Sequence, residues 1–119
     1  MNRFYSLALV SSVLFAGAAQ AHPHLVTATP AVDSTTSESP KELRMKFTQA
    51  VVLKFTGAEV KDAAGKAVKT GAAKLEKGDD TQLILPVSGK LTPGVYSVNW
   101  HAVSADTHHV EGTYNFTVK

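Results

Sequence analysis

Thr92-Pro93-Gly94-Val95-Tyr96-Ser97-Val98-Asn99-Trp100-His101-Ala102 decides the fold class. After the Pro-Gly turn, Tyr96, Val98, Trp100 and Ala102 alternate with Ser97, Asn99 and His101, the two-residue period of a strand with one face on a core and one in water. The same period appears downstream, where Tyr114, Phe116 and Val118 alternate with Thr113, Asn115 and Thr117, and upstream, where Leu43, Met45 and Phe47 alternate with Glu42, Arg44 and Lys46. Gln82 to Val87 and Leu53 to Val60 are shorter or less regular strand candidates. Ser39-Pro40, Ala64-Gly65, Gly78-Asp79 and Ser88-Gly89 supply turn chemistry between them. No stretch after the first twenty-one residues keeps a helical repeat of apolar positions for three turns. About seven strands with turns every 8 to 12 residues or so predict an all-β domain, a small immunoglobulin-like Greek-key sandwich or barrel.

The chain opens with Met1-Asn2-Arg3, an apolar run over Leu7 to Ala18, and the small-x-small triplet Ala19-Gln20-Ala21. These are the parts of an export signal, residues 1–21, cut after Ala21 to leave His22 first in a domain of residues 22–119. The apolar run falls short of the ~20 residues a membrane-spanning helix needs, so a soluble product is expected, periplasmic in a Gram-negative source. With Arg3 gone, eleven Lys and Arg face ten Asp and Glu, a formal charge of +1 with the signs interspersed, which gives no footprint for nucleic acid. A domain of this size has room for one core but not for a large internal substrate cavity as well. The chain has no cysteine, so neither a disulfide nor a thiolate ligand or nucleophile is available.

The five histidines carry what chemistry is left. His22 and His24 begin the expected mature chain, His108 and His109 follow Asp106, and His101 follows the single tryptophan. A free amine on His22 together with its own imidazole closes a chelate ring on a metal, a unit that no internal residue can form. His24, at mature position three, raises the alternative of a local four-nitrogen copper chelate through backbone amides. Pro23 blocks that chelate, because proline has no amide proton to lose. Asp106 and His108, two apart in an extended segment, point to one side and are the candidate partners for the terminal pair.

The combination of His22-Pro23-His24-Leu25-Val26 and Thr29-Pro30-Ala31, Phe47-Thr48, Phe55-Thr56-Gly57-Ala58, Leu91 to Trp100, Val103-Ser104-Ala105-Asp106-Thr107-His108 and Gly112 to Val118 resembles the CopC copper-resistance family of periplasmic copper-binding proteins. The resemblance spans the mature chain. It implies a Greek-key β fold, one Cu(II) per chain held by His22 with its amine, His24, Asp106 and His108, and a CopD-type inner-membrane partner. It implies a binding protein that sequesters or delivers copper, and no catalytic residues. Some family members add a methionine-rich loop for Cu(I), since soft thioethers suit the soft ion. Here the segment Lys61 to Lys69 has no methionine, and Met45 falls on the core-facing parity of its strand, so a Cu(II)-only member is expected. His101 and His109 are expected to stand outside the site, although His109 stays open as an alternative to His24.

Amine, imidazole and carboxylate form the tetragonal nitrogen and oxygen set that Cu(II) favours, and zinc is the alternative ion. Two other readings remain. One is a copper mono-oxygenase-like enzyme, because lytic polysaccharide monooxygenases also hold copper on an amino-terminal histidine; the other is a metal-free immunoglobulin-like interaction module. The mature protein is expected to be monomeric.

Overall fold

The structure, a computed structural model, describes residues 22–119; the expected export segment, residues 1–21, lies outside the described residues. Eight strands follow in chain order: β1 (Leu25–Thr29), β2 (Thr35–Thr36), β3 (Glu42–Phe47), β4 (Gly57–Lys61), β5 (Lys74–Glu76), β6 (Asp79–Pro86), β7 (Gly94–Val103) and β8 (His109–Val118). They form two four-stranded sheets, β1-β3-β6-β5 and β2-β8-β7-β4. The pairs are antiparallel except β2 with β8, which run parallel. This is the expected all-β Greek-key sandwich, with one strand more than the seven counted from periodicity. The short β2 and β5, of two and three residues, are too brief to show a period.

The alternating positions face inward as their parity requires. Leu43, Met45 and Phe47 of β3, Tyr96, Val98, Trp100 and Ala102 of β7, and Tyr114, Phe116 and Val118 of β8 are all buried. Phe47 meets Trp100 edge-on across the two sheets, ring centres 5.2 Å apart. Fully burying one such side chain contributes about 1.5–3 kcal/mol, so the layer between the sheets is the main source of stability. Met45 is completely buried in this layer. Gly112, opposite Trp100 in the β7–β8 register, leaves the indole its space: a Cβ there would lie 2.4 Å from Trp100 Cζ2. At the start of β7, the Tyr96 hydroxyl donates to the Thr92 carbonyl at 2.5 Å and ties the Thr92-Pro93-Gly94 turn to the strand.

The expectation of a strand from Leu53 is corrected. Leu53–Phe55 is a single 3₁₀ turn, and the strand starts only at Gly57. Here the chain crosses from the first sheet to the second. The Val52 amide donates to the Val103 carbonyl, and Thr56 Oγ1 accepts the Val103 amide, so the backbone turns to satisfy groups of β7 while Leu53 and Phe55 stay exposed. Among the described residues no helix is long and apolar enough to cross a membrane.

Candidate metal centre

β7 and β8 are joined at one end of the sandwich by a tight loop. The Ser104 amide donates to the His108 carbonyl at 3.0 Å, and the Thr107 amide donates to the Ser104 carbonyl at 2.9 Å. Closing the loop in three residues requires a left-handed residue, and Thr107 supplies it at φ 71°. A β-branched residue is strained there. Isolated pairing of Ser104 with Val51 fastens the loop to the segment leaving β3.

Within the loop, Asp106 is gripped at both oxygens. The hydroxyl of buried Ser104 and the backbone amide of His108 both donate to Oδ1, while Oδ2 lies 2.8 Å from His108 Nδ1. The Ser104 hydroxyl first, and His108 second, hold the Asp106 carboxyl down to about 2. Hydrogen bonds to the charged form favour that form, so the carboxylate is ionised at any physiological pH. The strained loop thus presents a charged oxygen and an imidazole side by side and exposed to solvent.

The amino-terminal segment reaches this loop from the other sheet. Thr48, just past β3, clamps it: Oγ1 accepts the His24 amide at 3.0 Å and donates to the His22 carbonyl at 3.2 Å, and the Thr48 amide donates to the His24 carbonyl at 2.8 Å. Pro23 is fully buried between the two histidines. It therefore does two things: it blocks the local backbone chelate, and it plugs the segment into the fold so that His22 and His24 both remain outside. The His22 and His108 rings meet at 75° with centres 4.7 Å apart, and the His22 and His24 ring centres are 6.1 Å apart. A metal–nitrogen bond of about 2 Å puts an ion roughly 3.2 Å from each ring centre, so imidazoles sharing one ion have centres about 4.5–6.4 Å apart. Both separations lie in that range.

Three of the four site residues expected from sequence thus present neighbouring imidazoles, and the fourth, Asp106, is bonded to one of them. Among the described residues no three His, Asp or Glu side chains already converge as in a loaded metal cluster. His108 Nδ1 faces Asp106 instead of a common centre, so metal entry would replace the Asp106–His108 bond or use the other ring nitrogen. His101 and His109 rise from the outer face of β7 and β8, where His109 Nε2 stands 3.5 Å from Glu111 Oε1. Sequence reasoning missed the roles of Thr48 and Ser104. Each is a small hydroxyl in a polar-looking position, and only its placement next to the terminus or to Asp106 marks it.

The fold and this group of residues define a class: a small two-sheet sandwich that displays histidines from the segment before β1 beside an Asp-x-His loop. The model for the CopC domain matches residues 25–119, nearly all of the described chain, and the protein belongs to the CopC family. It is similar to Protein YobA of Escherichia coli strain K12, with 36% identity over 115 residues, 97% of this chain and 93% of that one. Among solved structures, CopC from Methylosinus trichosporium OB3b superposes with a TM-score of 0.76 at 34% identity, covering 82% of this chain and 94% of that one. PcoC from Escherichia coli, described as a methionine-rich copper resistance protein, gives a TM-score of 0.75 at 31% identity, with 83% and 100% covered.

Proposed function

We propose that the mature protein, exported and cut after Ala21, binds one Cu(II) in the periplasm and sequesters it or hands it on, without catalysing a reaction. The observation that carries this reading is the approach of the His22 and His108 rings to 4.7 Å, with ionised Asp106 bonded to His108. Cleavage would add the His22 amine, so that amine, the imidazoles of His22, His24 and His108, and the Asp106 carboxylate offer nitrogen and oxygen donors from two segments. Such donors favour Cu(II) over other divalent ions of the first transition series. Copper is cargo here, and the exposed donors leave it open to transfer; a CopD-type inner-membrane protein is the proposed recipient. Family membership and the copper-resistance description of the PcoC neighbour support copper over zinc.

The Cu(II)-only reading rests on composition. The chain has two methionines, Met1 in the export segment and Met45 sealed in the core, so no thioether is placed to hold Cu(I). The test compares protein beginning at His22 with protein keeping one extra residue before it. An added residue turns the amine into an amide, and Cu(II) affinity against a chromophoric chelator should fall by at least about a hundredfold, the share of a lost chelate donor. Equal affinity in both forms would refute the site. Absence of Cu(II) binding in either would favour the metal-free module, and copper-dependent oxidation of a polysaccharide would favour the enzyme.

A further inference from the structure

Large apolar side chains left in water gather at the end of the sandwich that carries the candidate donors. Among the described residues five are exposed: Val26, Val32, Leu53, Phe55 and Val95. Val26, 55% exposed, follows His24 by two residues, at the register shift between Leu25 and Thr27. Leu53 and Phe55, 39% and 54% exposed, belong to the 3₁₀ turn that crosses between the sheets. That turn is fastened to the root of the Asp106 loop. Val51 pairs with Ser104, the Val52 amide donates to the Val103 carbonyl at 2.8 Å, and Thr56 Oγ1 accepts the Val103 amide at 3.1 Å. By contrast Val32 lies between β1 and β2, and Val95 pairs with Thr117 at the opposite end, where β7 begins and β8 closes.

The turn combines two kinds of attraction. Leu53 and Phe55 gain when something apolar covers them. Lys54, between them, holds its ammonium 5.7 Å from the Phe55 ring centre, and among the described residues it makes no ion pair. A cation beside an aromatic ring is drawn to its face, so the turn offers a ring and a positive charge together. The complementary surface is an apolar hollow edged by a carboxylate.

Of the surfaces that could cover the turn, the protein that takes the copper is the one that must come to this end. Cu(II) held by side chains leaves by exchange, each departing donor replaced by an incoming one, so the incoming ligands have to reach the bound ion; it stays Cu(II) throughout and no electron moves. A second copy offers the same donors at the same affinity, so docking there moves no copper. A lipid surface would take the apolar side chains but not the ion. We propose that Leu53, Lys54 and Phe55 form the docking surface for the copper recipient, which seats an apolar hollow and a carboxylate on the turn and so brings its own ligands to the exposed Asp106 and His108, with Val26 at the far rim. This rests on the hand-over reading above. A contact this small suits an encounter that must end, since transient complexes fall below about 1,200 Å² of buried surface.

Cu(II)-loaded protein beginning at His22 is mixed with a CopD-type protein in lipid nanodiscs, and the transfer rate is followed by the copper electron paramagnetic resonance spectrum as recipient concentration is raised. Leu53→Ser with Phe55→Ser should raise the concentration for half-maximal rate at least about tenfold and leave the saturated rate within about twofold. Lys54→Glu should slow transfer at low concentration at least about threefold, a loss that added salt diminishes. Val95→Ser, at the opposite end, should transfer as the parent does. Every variant should keep the parent's Cu(II) affinity and its rate of release to EDTA, which separates docking from damage to the metal centre or the fold. Normal transfer by the turn variants, or a matching loss of Cu(II) affinity, would overturn the proposal and leave hand-over standing. A parent that binds Cu(II) but gives none to the recipient would overturn hand-over itself, and the docking surface with it. Binding to phosphatidylglycerol and phosphatidylethanolamine vesicles, or a parent dimer, that disappears in the Leu53→Ser and Phe55→Ser variant would assign the turn to a lipid surface or a second copy instead.

Discussion

Replacing Thr48 by valine keeps the side chain's shape and removes its hydroxyl, and with it two of the three hydrogen bonds that hold His22 and His24 against β3. A neutral hydrogen bond contributes a net 0.5–1.5 kcal/mol, and these are exposed, so the pair is worth about 1–2 kcal/mol. That energy keeps the two histidines beside the Asp106 loop before metal arrives. Without it the terminus must be ordered at the moment of binding. At 1.4 kcal/mol per factor of ten, Cu(II) affinity should drop about 5- to 30-fold. Because Thr48 is exposed at the end of its strand, the metal-free melting temperature should move by only a few degrees. Competition against a chromophoric chelator measures the affinity, and Thr48→Ser, which retains the hydroxyl, should bind within about twofold of the parent. Unchanged affinity in Thr48→Val, or an equal loss in Thr48→Ser, would show that the clamp does not position the site.

His108→Ala should weaken Cu(II) binding more than His109→Ala or His101→Ala, since only His108 shares the loop with Asp106 and meets the His22 ring; calorimetry of the three variants checks this. Because the folded-state value of Asp106 is depressed, its contribution to stability is present above the ordinary carboxylate range and is lost as pH falls from about 4 toward 2. Ser104→Ala should move the carboxyl titration, read by NMR, back upward. Copper should leave at a higher pH than that, because nitrogen donors must be deprotonated to bind, and the copper electron paramagnetic resonance signal between pH 8 and 4 should report it. Gly112→Ala forces Trp100 off its seat against Phe47 and should destabilise the domain by about 1–3 kcal/mol in denaturant melts.

Periodicity made the long strands readable because each has one wet and one dry face. β3, β7 and β8 appear where alternation puts them, and Met45 lies in the core where its parity assigns it. The short β2 and β5 escape notice because two or three residues contain no period, and the Leu53–Phe55 turn looks like a strand because exposed apolar residues imitate one. Residue chemistry singled out His22, His24, Asp106 and His108, and the blocked amide of Pro23 was legible as well. Their nearness was not, because it depends on one sheet's edge meeting the far loop of the other, a contact no local pattern encodes. The clamp at Thr48 and the brace at Ser104 stayed hidden for the same reason.

The proposed metal centre has no counterpart in the unfolded chain. Its imidazoles and carboxylate come from opposite ends of the described sequence and from segments fastened to different sheets. On the proposed reading, the His22 amine exists only after cleavage, and the Asp106 loop lies beside it only after the sandwich closes. A precursor threading through a membrane would therefore leave behind the copper of the compartment that made it. Once loaded, the same ion would bridge the seam between the two sheets, so departure of the metal and parting of the sheets at that end would become linked events, and the protein's resistance to opening would rise with its cargo.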